Sequence, residues 1–258
     1  MQEYWEAYMK PIEGHVAMML FNAGVADNVP DDKYMYVGFV KVKLNNPKED
    51  GLVSQEEGDD VGFIEDRLEM ESLRYRNGKY IGRIITQGEV NFIYALKMDF
   101  EWQNTVEDAM KHFGEYRYEF GSRIDTEWEV YQKLLFPNIK EWQIITNHHA
   151  CDNLKEQGDN LHQTRAIEHK SYFTCNEDRE AFVAKIQEMG FKEQKRSEVP
   201  FRNETMYGVS FYRMDKPFYY DIDALTMELI DISEACNGKY DGWECSLVKK
   251  VWHTIKIE

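Results

Sequence analysis

Between Leu161 and Val248 the apolar and polar positions fall into two copies of one pattern, strand then helix then strand. Alternation over Arg165–Phe173 predicts the first strand. Thr174-Cys-Asn-Glu177 has the spacing of a capping box, and Phe182, Ile186 and Met189 then share one helical face before Gly190. Two further strands are expected over 191–199 and 207–214, with a polar turn containing Pro200 and Asn203 between them. Asp221 opens a second helix whose Ile222, Leu225, Leu229, Ile232 and Cys236 form an apolar stripe. Asn237-Gly238 stops it, and 240–248 reads as the last strand. The order βαββαβ predicts a ferredoxin-like sandwich, an antiparallel sheet with two helices on one face and the other face open.

The first half carries a less regular α/β pattern. Strands are expected over 15–21 and 34–44, a helix from the capping-box signature Ser54-Gln-Glu-Glu57 to about Arg74, and a hairpin of 80–86 and 89–96 around Gln87-Gly88. Gly58 and Gly62 weaken that helix, since each costs about 1 kcal/mol against alanine. A short helix over 104–113, a strand over 116–123 and a short helix capped at Asp125-Thr126, with Trp128, Tyr131 and Leu135 on one side, lead to Pro137. Asn138-Ile-Lys-Glu141 starts another helix, which stops at Gly158. The expected class is therefore α+β, with two α/β-sandwich domains: residues 1–137, a linker helix over 138–158, and a ferredoxin-like domain over 159–258.

Composition narrows the function. Of 258 residues 43% are hydrophobic and 14% aromatic, enough for real cores. The formal net charge is −16, from 47 acidic and 31 basic residues, and both halves are acidic. Phosphate backbones are bound by Lys and Arg, so direct nucleic-acid binding is disfavoured and a basic protein partner is favoured. No apolar run approaches the ~20 residues that cross a bilayer. The start Met-Gln-Glu-Tyr-Trp-Glu lacks the basic and apolar regions of a secretory signal. Four widely spaced cysteines without a C-x-x-C pair read as reduced thiols, and the expected location is cytoplasmic.

Nucleotide-loop, nucleophile-elbow and His-Glu-x-x-His spacings are all missing, and no cofactor or metal is expected. His148-His149 with Cys151 is a poor metal set, because adjacent helical side chains diverge by about 100°. More chemistry gathers where Asp159, Arg165 and His169 bring an acid, a guanidinium and an imidazole to the start of a strand. Those three either line a ligand pocket or serve the fold, with Asp159 paired to Arg165 and His169 half-buried. In Tyr240-Asp241-Gly242-Trp243 the glycine marks a bulge or a close backbone approach, and Trp243 is either core or a partner anchor on the open sheet face. Asp59-Asp60 and Asp221/Asp223 sit at helix starts, where the macrodipole accounts for them.

Gly158-Asp159, Arg165, His169, Tyr172-Phe173, Arg179, Phe182, Gly190-Phe191 and Tyr240-Asp241-Gly242-Trp243 resemble the family of the regulator of ribonuclease E activity, B type, over roughly 150–248. Asp125-Thr-Glu-Trp-Glu-Val-Tyr131 and Leu-Leu-Phe-Pro137 resemble a bacterial domain of unknown function found fused ahead of that module. The resemblance implies a ferredoxin-like fold and a non-catalytic protein that binds a ribonuclease. The expectation is thus a protein-binding regulator whose C-terminal module shows an uncovered, negatively biased surface. A small-molecule-binding or hydrolytic protein using the Asp159/Arg165/His169 pocket is the alternative, and a dimer that covers the sheet with its own copy is a third reading.

Overall fold

The computed structural model describes residues 4–201 and 204–249, so Asn203 of the expected turn and the first three residues of the acidic start lie outside the described residues. The chain divides into two compact units, 1–141 and 142–258. Each is α+β with its own antiparallel sheet.

The first unit has strands β1 (Trp5–Ile12), β2 (His15–Asn22), β3 (Tyr36–Lys43), β4 (Gly78–Thr86), β5 (Glu89–Leu96) and β6 (Tyr118–Ile124). They lie in the order β1-β2-β4-β5-β3-β6. Helices α1 (Gly58–Tyr75) and α2 (Trp102–Met110) cover one face, where Val40, Val42, Phe92 and Leu96 join Ile64, Leu68 and Val106 in one apolar cluster. Strand β1 is not anticipated by the sequence pattern. Its buried positions are Glu6 and Tyr8, and a carboxylate at an inward position hides the two-residue period. A two-residue turn, Glu13-Gly14 with φ of 50° and 82°, joins it to β2.

Local capping signals are realised unevenly. Asn138 and Glu141 cap each other reciprocally, at 2.8 and 2.9 Å. At Ser54-x-x-Glu57 only half of the box forms, with Glu57 N–H on Ser54 Oγ at 3.3 Å. The buried Glu57 carboxylate instead accepts the Asn45 and Asn46 N–H groups at 2.7 and 2.9 Å. Thr174 is no cap either, because its helix begins at Asn176 behind an extended Cys175. The expected helix after Asp125 is a π-helical turn, Val130–Leu135, and the Asp125 carboxylate accepts the Glu129 and Val130 N–H groups at 2.8 and 3.2 Å.

The second unit contains most of α3 (Ile139–Glu156), then β7 (Arg165–Phe173), α4 (Asn176–Glu188), β8 (Lys192–Phe201), β9 (Glu204–Asp215), α5 (Tyr219–Ala235) and β10 (Gly238–Cys245). From β7 onward the order is βαββαβ, and the antiparallel sheet runs β10-β7-β9-β8. Phe182 and Ile186 of α4, Ile222 and Leu229 of α5, and Ile167, Phe173 and Phe211 of the sheet close one core. The helix read as a linker adds Cys151 and Leu154 to that core, so the helical layer holds three helices where the pattern indicated two.

Gly82 sits at a bulge in β4 with φ +158°, and a β-carbon there would stand 2.4 Å from the Leu20 carbonyl oxygen of β2. Gly82→Ala is therefore expected to destabilise the first unit by about 3 kcal/mol, since backbone is what must move. Gly62, inside α1 and facing open space, gives the opposite expectation: Gly62→Ala should stabilise by about 0.5–1 kcal/mol. Urea unfolding of the two variants against the parent checks both signs.

Candidate functional site

Strand β7 organises the site because its period of two turns Arg165, Ile167, His169, Ser171 and Phe173 inward, all buried. The Arg165 guanidinium meets Asp159 twice, at 2.7 Å each. Its remaining donors reach the carbonyls of Gln163 (3.2 Å), Ser246 (2.9 Å) and Asn160 (2.7 Å), which accounts for all five N–H groups. Asp159 also accepts the Val248 N–H at 2.6 Å. Burial opposes the charge on Asp159, but Arg165 and the Val248 amide outweigh it and hold the carboxyl below its ordinary range. This pair is a clamp that ties the segment after β10 to the start of β7.

His169 lies four residues further along, about 13 Å away at the rise of a strand. Its ring is fully buried, stacked on Phe211 and edge-on to Phe191, with Nδ1 2.8 Å from the Tyr240 hydroxyl. Nε2 has no hydrogen-bond partner among the described residues. Burial, then the nearby positive charge of Arg213, push its pKa down to about 3. The imidazole is neutral at physiological pH and shielded from solvent, which removes it from acid–base work. Of the two readings of Asp159, Arg165 and His169, this geometry matches the one that serves the fold: Asp159, in the loop before β7, pairs with Arg165, and His169 faces inward onto its own partners. Cys151 is buried as well, and burial, with Asp223 adding to it, raises its thiol to about 12, so it is no nucleophile.

Tyr240, Asp241 and Trp243 separate across β10. Tyr240 faces inward to His169, Asp241 is the exposed extra residue of a bulge, and Trp243 pairs in register with His169 on the helical side. Trp243 Nε1 donates to Asn147 Oδ1 at 2.8 Å, and the buried Asn147 amide donates to Asp223 (2.9 Å) and Thr226 (2.8 Å). His148 Nε2 meets the other Asp223 oxygen at 2.8 Å. This network docks α3 on α5 and β10, and sequence reasoning misses it because its members stand 75 to 96 residues apart. Among the described residues no group of three or more His, Cys, Asp or Glu side chains is placed to hold a metal ion.

Opposite the helices the sheet carries Glu168, Lys170 and Tyr172 from β7, Ser210 and Tyr212 from β9, Lys192 and Lys195 from β8, and Lys239 and Glu244 from β10. Lys170 and Glu244 pair at 3.0 Å. Trp243 and Asp241 border a shallow hollow of about 110 Å³ between them. No helix of this unit covers that face among the described residues. Its charge is mixed and not negative, which corrects the expected sign. Acidity lies on the helical side instead: α5 carries Asp221, Asp223, Glu228, Asp231 and Glu234 and not one Lys or Arg.

Two measurements test these assignments. Arg165→Met leaves a buried carboxylate without its cation and is expected to cost about 3–5 kcal/mol, most of it recovered by adding Asp159→Asn. A cost below about 1 kcal/mol in chemical unfolding would refute the clamp. His169, with its pKa near 3 in the folded chain and an ordinary value of 6.5 when unfolded, binds a proton more readily in the unfolded chain between those limits. Stability should therefore fall as pH drops below 6.5, and His169→Gln should lose about 2 kcal/mol less than the parent between pH 7 and 5.

No curated protein matches this sequence. Two solved structures show weak likeness, an unknown protein from Galdieria sulphuraria and a candidate glycine cleavage system transcriptional repressor. The first is 12% identical with a TM-score of 0.24, covering 81% of this chain and 97% of its own. The second is 10% identical with a TM-score of 0.23, covering 82% and 98%. At these scores the likeness carries no argument. Among the described residues no helix is long and apolar enough to cross a membrane. Family comparison is specific where these are not: over residues 3–136 the chain belongs to the family of unknown function DUF695, and its residues 144–245 match the regulator of ribonuclease activity B.

Proposed function

We propose that this protein is a non-catalytic, cytoplasmic regulator that binds another protein through its C-terminal unit, a ribonuclease with a basic segment being the partner. The match to the regulator of ribonuclease activity B supports the class of function. The observation that carries the mode of binding is the one-signed surface of α5. Asp221, Glu228, Asp231 and Glu234 are exposed, and their spacing of seven, three and three residues keeps them within one half of the helix circumference. Tyr220, 79% exposed at the start of the same helix, adds an aromatic contact of the kind found at interface centres. Such a field speeds encounter with a basic partner and repels nucleic acid. The ferredoxin-like module then acts as a rigid carrier for the acidic helix, and the geometry around Asp159, Arg165 and His169 keeps it folded.

Purified full chain and a ribonuclease bearing a basic RNA-binding segment should form a complex whose affinity falls with salt. Glu228→Lys combined with Glu234→Lys is expected to weaken it about tenfold or more, chiefly through slower association, read by surface plasmon resonance. No complex at low ionic strength, or a complex indifferent to the double reversal, would count against the proposal.

A further inference from the structure

Among the described residues the two sheets end in four edge strands, β1 and β6 in the first unit, β10 and β8 in the second. Lysines, prolines and bulges blunt such edges against further pairing. Strand β1 carries Lys10 and Pro11, β8 carries Lys192, Lys195, Pro200 and a bulge between 193 and 195, and β10 is bulged between 240 and 242. Strand β6, Tyr118-Glu-Phe-Gly-Ser-Arg-Ile124, has none of these devices and pairs with β3 alone.

The ladder to β3 fixes which way each β6 residue points. Lys43 N–H donates to the Arg117 carbonyl and Asp125 N–H to the Met35 carbonyl, each at 2.9 Å, and both pairs continue the register that sets Val42 opposite Tyr118. Odd-numbered residues therefore turn their N–H and C=O groups to β3. Tyr118, Phe120, Ser122 and Ile124 turn theirs outward, to the free edge. Side chains alternate in step. The rings of Tyr118 and Phe120 stack at 6.3 Å and pack against the core under the helices, with Ile124, 70% exposed, further along the same face. Glu119 and Arg123 lie on the opposite face, exposed and without a hydrogen bond or ion pair among the described residues.

We propose that β6 pairs antiparallel with β6 of a second copy of this chain, about a two-fold axis at Gly121, and joins the two six-stranded sheets into one. The charge order Arg117, Glu119, Gly121, Arg123, Asp125 inverts about its own centre. With the axis at Gly121, Glu119 of each copy stands opposite Arg123 of the other. Arg117 stands opposite Asp125, whose carboxylate already caps the π-helical turn, so the inner pairs carry the selection. The outward backbone groups allow even positions to oppose only even positions. Moving the axis one residue either way then sets Arg117 against Arg123, or Glu119 against Asp125. Like charges directly opposed are destabilising, so one register is selected. In it Tyr118 covers the exposed Ile124 of the other copy, Phe120 opposes Ser122, and about eight main-chain hydrogen bonds form, within the usual range of an interface. Phe39 already lies over Gly121, where a β-carbon would stand 2.9 Å from its ring, so the two rings meet above the paired glycines. The contact is isologous and closes at two copies.

Sedimentation equilibrium of the full chain tests this, with a dimer of Kd about 10 µM or tighter expected. Glu119→Arg alone sets arginines against each other and Arg123→Glu alone sets acids against each other, so each should weaken the dimer about tenfold or more. An equimolar mixture of the two variants should dimerise as the parent does, because every inner pair is then Arg with Glu. Ser122→Pro removes an outward N–H that β3 does not use, so the chain should keep its circular dichroism spectrum and lose the dimer. A parent that stays monomeric at about 100 µM, a dimer indifferent to the single reversals and to Ser122→Pro, or a mixture that stays monomeric would each overturn the proposal. The readout lies in the first unit and stands or falls independently of ribonuclease binding.

Discussion

Strand β7 turns five side chains inward, and three of them, Arg165, His169 and Ser171, are polar. A buried polar group without a partner is costly, so each of these positions must recruit one. Arg165 takes Asp159 from the loop before the strand, His169 takes Tyr240 from β10, and Ser171 takes Ser233 from α5 at 3.1 Å. The strand is thereby pinned in register along its length to three different elements. Apolar residues in the same places would fill the core but leave the register less strongly defined.

The same requirement explains why residues that look chemical are structural. An acid, a guanidinium and an imidazole near one strand form a site only if some of their capacity stays free and faces solvent. Here the five donors of Arg165 are all engaged and the imidazole is enclosed by Phe191, Phe211 and Tyr240. On the sheet face opposite the helices the second unit carries charge of both signs, whereas α5 carries acids and no Lys or Arg.

Local signals divide by how strongly the tertiary structure competes for them. Asn138 and Glu141 satisfy each other because Lys10, the other group beside the Glu141 carboxylate, lies against Oε1 at 3.9 Å and leaves Oε2 to the Asn138 N–H. Glu57 carries the same signature, yet its carboxylate is buried and taken by the Asn45 and Asn46 N–H groups, so only the Ser54 half of the box forms. In β1 the buried Glu6 breaks the alternation that would announce a strand, and only pairing with β2 reveals it.

By itself the sequence determined the elements whose period is carried by apolar residues: β7, the two crossover helices, the hairpin of β4 and β5, and with them the βαββαβ order. It also determined the acidity and the resemblance at the C-terminal half. Only the tertiary structure decided which face each charge occupies, that α3 joins the helical layer through Asn147 and Trp243, and that Asp159 and Arg165 are a closed pair. Burial and hydrogen bonding are properties of neighbours in space, and these neighbours lie up to 96 residues apart along the chain. Periodicity reports a side chain's direction relative to its own element, and says nothing of what meets it there.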